Sequence, residues 1–119
     1  MTPSAFADVT VEAGTVRAVL ARDQARALCA GHFPDEPLVP GAYVAGLLSQ
    51  LASRLLADDD PTRRVVEVVR CVFLHPIRPD ADVCMTARRD EDTTASSVLI
   101  TAEVEIDGRC AARALLRFA

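Results

Sequence analysis

Lysine is missing from the 119 residues: all 13 basic side chains are arginines, set against 17 acidic ones for a formal net charge of −4. Without a basic excess, an electrostatic nucleic-acid binder is excluded, because such a protein needs a positive face to gather phosphates. The all-arginine usage reads first as a bias of the source genome and second as a hint of anion recognition. Also lacking is any apolar run of about 18 residues, so no transmembrane helix and no membrane association are expected. Met1-Thr2-Pro3-Ser4 has neither the basic start nor the apolar core of a signal peptide. No Cys-x-x-Cys pair occurs, and Cys29 and His32 have no second ligand pair nearby. Cys29, Cys71, Cys84 and Cys110 are therefore expected to be reduced, buried thiols in a cytoplasmic protein, with no metal site. Repeats, low-complexity tracts and linkers are absent apart from the short break Asp58-Asp59-Asp60-Pro61.

What is present is a composition that is 50% hydrophobic and 25% charged, which suits one soluble domain spanning residues 1–119. At this length about two-thirds of the unfolded chain's surface can be buried, so no metal or disulfide is needed as a staple. Ala7–Val11 and Thr15–Leu20 read as short strands around Gly14. Asp23–Leu28 has a capping Asp and good helix formers, enough for one or two turns. A loop with three prolines, Gly31–Gly41, follows. From Ala42 to Ala57 the chain reads as one helix, begun by Pro40 and stopped by the triple Asp. Only Ser49, Gln50, Ser53 and Arg54 give it a polar edge, and a helix so apolar must be wrapped. Val65–Leu74, Val83–Arg89, Ser97–Ile106 and Arg109–Phe118 are valine-rich and strand-like, with Asp107-Gly108 as a two-residue hairpin signal. The expected fold is α+β, an antiparallel meander curled around one long central helix.

Gly31-His32-Phe33-Pro34-Asp35-Glu36-Pro37-Leu38-Val39-Pro40-Gly41, followed by an apolar helix reaching Ser49-Gln50, resembles the active-site segment of the hot-dog-fold 3-hydroxyacyl-acyl carrier protein dehydratases of fatty acid and polyketide synthesis. Arg70–Asp82, with its His75-Pro76-Ile77-Arg78-Pro79 core, is similar to a second segment of that family. The resemblance runs from Thr15 onward. It implies a hot-dog fold that dimerises with sheets side by side, the active sites lying in tunnels at the interface. It also implies a substrate carried on the phosphopantetheine of acyl carrier protein, with no cofactor of the enzyme's own. In such sites a histidine removes the proton α to the thioester carbonyl, and an acid on the other subunit's central helix helps the 3-hydroxyl leave as water. A backbone N–H at the helix start holds the carbonyl oxygen.

Carried over position by position, His32 matches the histidine and Gly41 the helix-start donor. The acid belongs fourteen residues after the histidine, and that position is Gly46. A mid-helix glycine costs about 1 kcal/mol relative to alanine. Either the backbone is closely approached there, or the subunit has lost its acid. Tyr43, Gly46, Leu47 and Gln50 fall on one face, so Tyr43 or a water held by Gln50 could stand in for the carboxylate. The competing role for Tyr43 is core packing with a satisfied hydroxyl. His32 itself could merely tie down a proline-rich loop, although an imidazole suits α-proton abstraction. Asp35 and Glu36 are expected at the tunnel mouth in solvent, and His75 in a structural role at a strand end. Cys29 and Ser49 form no nucleophile arrangement with His32, so a covalent acyl-enzyme is not expected. Arg63, Arg64, Arg70, Arg78, Arg88 and Arg89 are either scattered surface charge or a docking patch for an acidic carrier protein.

The favoured reading is a dehydratase subunit completed by a partner that supplies the acid, as a heterodimer with a related hot-dog subunit, a homodimer remaining open. Two alternatives stand beside it: a non-catalytic scaffold that stabilises a dehydratase or binds acyl carrier protein, and a hot-dog thioesterase. The open space implied by Gly46 would suit rigid or conjugated polyketide chains.

Overall fold

The computed structural model describes residues 6–29, 41–57, 62–78, 82–90 and 96–119. Six strands and two helices follow one another as β1 (Phe6–Glu12), β2 (Thr15–Leu20), α1 (Arg22–Cys29), α2 (Gly41–Arg54), β3 (Val65–Phe73), β4 (Val83–Arg89), β5 (Val98–Ile106) and β6 (Arg109–Phe118). The strands form one antiparallel sheet in the order β1-β2-β4-β5-β6-β3. This is the α+β hot-dog arrangement, with α2 packed chiefly on β4 and touching β2, β3, β5 and β6.

The alternation of the strands aims one face of the sheet at the helix. Along β5, Val98, Ile100, Ala102 and Val104 are fully buried, and the residues between them are not. Register then builds a continuous row across the sheet: Val16 opposes Ala87, Ala87 opposes Ala102, Ala102 opposes Ala114, and Ala114 opposes Cys71. Three consecutive alanines at its centre leave room for a helix to approach the sheet closely. The side chains that fill the space are Val44, Leu47, Leu48, Leu51 and Ala52 of α2.

Local chemistry accounts for the element ends. Asp107 and Gly108 both adopt positive φ, 52° and 76°, the left-handed pair that a tight β-hairpin requires. Gly14, at φ 76°, turns β1 into β2, and β1 carries a bulge between Ala7 and Thr10 in which Asp8 has φ 51°. α1 extends to eight residues and buries Ala25 and Cys29, one turn apart, on its inner side. The regular part of α2 stops at Arg54, short of the expected Ala57. Leu55 and Leu56 instead donate to the carbonyls of Ala52 and Ser53, tightening the last turn and carrying Leu56 into the core.

Two expectations need correction. The last four strands do not run as a meander in sequence order: β4, β5 and β6 do, but β3 pairs with the far side of β6 and forms the sheet edge. The connection after β3 is too long for a hairpin. It crosses the sheet end, held where Leu74 and His75 donate to the Ala111 carbonyl at 2.8 and 3.1 Å and where Ile77 is buried. Nor is α2 wrapped on all sides by its own chain. Ala42, Tyr43, Gly46, Gln50, Ser53 and Arg54 face outward.

Candidate active site

The motif from Gly31 to Pro40, with His32, Asp35 and Glu36, lies outside the described residues, as do the Asp58–Pro61 break and the turn residues 79–81 and 91–95. The site is therefore defined from its helix and strand sides. Gly41 opens α2, and its amide sits at the positive end of a 14-residue helix that has no acidic residue in its first turn. Nothing on the helix itself offsets that end of the dipole, which favours a carbonyl oxygen acquiring negative charge. A side chain at Gly41 would meet the Phe73 ring, whose Cζ lies 3.1 Å from the position of a Cβ. Phe73, the last residue of β3, thus closes one side of the helix start with an apolar wall.

One helical turn further on, the structure separates the four residues that the sequence groups together. Leu47 turns into the core, whereas Tyr43, Gly46 and Gln50 stay on the outer surface. Tyr43 is 43% exposed, which rules out core packing for it within this chain. A Cβ at Gly46 would meet no described atom within 4 Å. Close packing inside the subunit therefore does not explain this glycine: the position where the acid belongs is open space.

Next to this open face runs the other unusual surface of the molecule. Strand β3 is apolar yet exposed along its length, with Val65, Val66, Val68, Val69, Val72, Phe73 and Leu74 between 39% and 59% exposed. Its unpaired edge contains two bulges relative to β6, and Glu67 is held at 3.0 Å by Arg117. A long apolar edge strand is a template for another strand and is unstable in water if left bare. The open helix face and the open edge together make half of a site.

The nucleophile candidates are accounted for structurally. Ser49 donates its hydroxyl to the Ala45 carbonyl at 3.0 Å, one turn back in the helix. All four cysteines are free thiols, and burial pushes the Cys29 and Cys71 thiols up, holding them neutral. With iodoacetamide at neutral pH, exposed Cys84 should be modified first and Cys29 last. Peptide mass spectrometry showing Cys29 as the fast site would contradict the packing of α1. Among the described residues no cluster of His, Cys, Asp and Glu could hold a metal ion, and no helix is long and apolar enough to cross a membrane.

The arginines are less scattered than their sequence positions suggest. Arg88 and Arg89 end β4 at the same end of the sheet as Arg63 and Arg64, since Arg89 pairs with Ile100, Val98 with Phe118, and Arg64 exchanges backbone hydrogen bonds with Ala119. Arg70 lies on the β3 edge and Arg78 at the opposite end of the sheet, near the Asp107-Gly108 turn. His75 is also at that opposite end, exposed, its side chain lining a cleft that sequence reasoning did not find.

Comparison with known proteins agrees with this geometry. The ApeI-like family model, described as ApeI dehydratase, matches residues 8–109. A 3-hydroxyacyl-[acyl-carrier-protein] dehydratase FabZ from Polynucleobacter asymbioticus is 28% identical over 88 residues, covering 71% of this chain and 58% of the relative. The FabZ of Streptococcus mutans is 31% identical over 93 residues, covering 75% of this chain and 66% of the relative. The chain thus spans less than two-thirds of the length of either. Among solved structures, a chain of the dehydratase heterocomplex ApeI:P from Xenorhabdus doucetiae superposes with a TM-score of 0.78 at 22% identity, covering 100% of this chain and 99% of that one. A phenylacetic acid degradation-related protein from Ralstonia eutropha gives 0.72 at 20% identity, covering 95% and 81%.

Proposed function

The chain belongs to the ApeI-like dehydratase family, and from that premise we propose that it is one subunit of a 3-hydroxyacyl-acyl carrier protein dehydratase whose acid comes from a partner subunit. The observation that carries the reading is Gly46: the acid's position on the outer face of α2 is empty, beside an apolar strand edge that calls for a second sheet. The named heterocomplex of the Xenorhabdus relative supplies a precedent for two different chains.

The chemistry assigned to this chain is the first half of an elimination. The Gly41 amide receives the thioester carbonyl oxygen, which polarises the bond and acidifies the α-carbon. His32 removes that proton. A carboxylic acid on the partner's central helix protonates the departing 3-hydroxyl, and water leaves as the trans-2 double bond forms. A carboxylic acid at the partner's helix is needed because hydroxide is too poor a leaving group at neutral pH. The phosphopantetheine arm carries the acyl chain, so no other cofactor enters. The arginine end of the sheet, Arg63, Arg64, Arg88 and Arg89, is the surface that suits an acidic carrier protein. The setting is cytoplasmic fatty acid or polyketide synthesis, and the empty space at Gly46 favours rigid or conjugated chains.

The same glycine also supports a second reading, in which the chain is a non-catalytic scaffold for a dehydratase. The test of the first is to purify the chain alone and with a hot-dog subunit bearing an acid on its central helix, then follow hydration of an enoyl-pantetheine thioester. Activity should require both chains. Full activity from this chain alone would overturn the partner-supplied acid.

A further inference from the structure

At the end of the sheet away from Arg63, Arg64, Arg88 and Arg89, a cleft of about 470 Å³ opens between the connection that follows β3 and the β5–β6 hairpin. His75, Pro76 and Arg78 line it from the connection, and Ile106, Asp107, Arg109 and Ala111 from the hairpin. In a chain with an overall charge of −4, two guanidiniums and an imidazole gather here against one carboxylate. Among the described residues, Asp107 makes no ion pair with either arginine, and the side chains of His75 and Arg109 have no hydrogen-bonding partner. The cleft is therefore not explained as an internal salt-bridge cluster.

Its frame is well braced. The connection is fixed by the two backbone bonds to the Ala111 carbonyl and by buried Ile77, and Pro76 limits its backbone freedom. The hairpin is fixed by its positive-φ Asp107-Gly108 turn. Arg78 and Arg109 are thus presented from two independent rigid elements.

We propose that this cleft binds a phosphomonoester. Guanidinium forks match phosphate oxygens in pairs, and two of them balance a dianion in a way that a single carboxylate ligand does not require. The imidazole adds a further N–H. The volume lies within the range of small-molecule sites and far exceeds a bare phosphate ion, so the ligand has an organic body. Pro76, Ile106 and Ala111 supply the apolar surface for that body. The phosphomonoester is either the phosphate of a pantetheine arm or a free phosphorylated metabolite. The inference rests on the cleft alone and stands whether or not the chain takes part in dehydration.

The experiment is an amide NMR titration of the full chain with pantetheine 4′-phosphate, pantetheine and glucose 6-phosphate. The phosphorylated probes should shift resonances at 75–78 and 106–111, and pantetheine should not. Arg109→Gln and Arg78→Gln should each weaken phosphate-dependent binding by about tenfold or more, as expected for loss of a charge-assisted contact, whereas Arg17→Gln should leave it unchanged. Tighter binding of pantetheine 4′-phosphate than of the sugar phosphate identifies a carried arm, and equal binding a free metabolite. Either supports the site. No binding of any phosphomonoester, equal binding of pantetheine, or indifference to both arginine substitutions would overturn it.

Discussion

Gly46→Glu should turn the chain purified by itself from inactive to active in enoyl-thioester hydration. The gain should be on the order of 10²-fold or more, the usual range for restoring a positioned acid. Three features favour it. The position is on the outer face of α2, its Cβ would meet no described atom within 4 Å, and it lies between Tyr43 and Gln50 beside the exposed edge. Folding should not suffer, because exchanging a mid-helix glycine for a better helix former adds about 0.5–1 kcal/mol of helix stability. The measurement is initial rate on an enoyl-pantetheine thioester, with circular dichroism and thermal melting as controls. A folded Gly46→Glu protein with no gain would mean that this chain cannot form a productive pair with itself, or that the acid of the assembled site lies elsewhere.

Replacing His32 by alanine in the assembled complex should have the opposite effect, a fall in kcat of about 10² to 10⁴. His32 belongs to the Gly31–Pro40 motif, and its side-chain type is one that can remove an α-proton and return it. The scaffold reading predicts something different: the partner would carry both groups, and the rate of the complex would not change. Because the variant is compared within the complex, size-exclusion chromatography of the His32→Ala pair shows whether a loss reflects chemistry or failed assembly. An unchanged rate in an intact complex would remove this chain from the reaction.

The local elements were legible because they are written in local chemistry. Thr15–Leu20, Val83–Arg89 and Arg109–Phe118 begin and end where alternation and turn residues place them, and Asp107-Gly108 makes the hairpin it signals. Strand order was not legible. Alternation states which face a residue takes and says little about the neighbouring strand, so β3 was expected beside β4 and lies beside β6. Its valines were expected to wrap the helix, but on the edge they leave apolar surface for a partner. The grouping of Tyr43, Gly46, Leu47 and Gln50 followed helical spacing, yet the boundary of the core runs through that group, and only Leu47 falls inside it. The cleft had a weak signal in the arginines flanking two turns. Residues 75–78 and 106–111 are brought together only by the crossing connection.

From sequence alone came the helix, the strands, the dehydratase-type motif and the absence of an acid at Gly46, all of which depend on residue type and spacing along the chain. Tertiary structure decided what those spacings cannot express: that the space at Gly46 is open, that Phe73 closes the side of Gly41, that β3 is an uncovered edge, and that Arg78 meets Arg109. Each of these depends on which surfaces the sheet buries and which it leaves bare, and burial is a property of how the elements pack together.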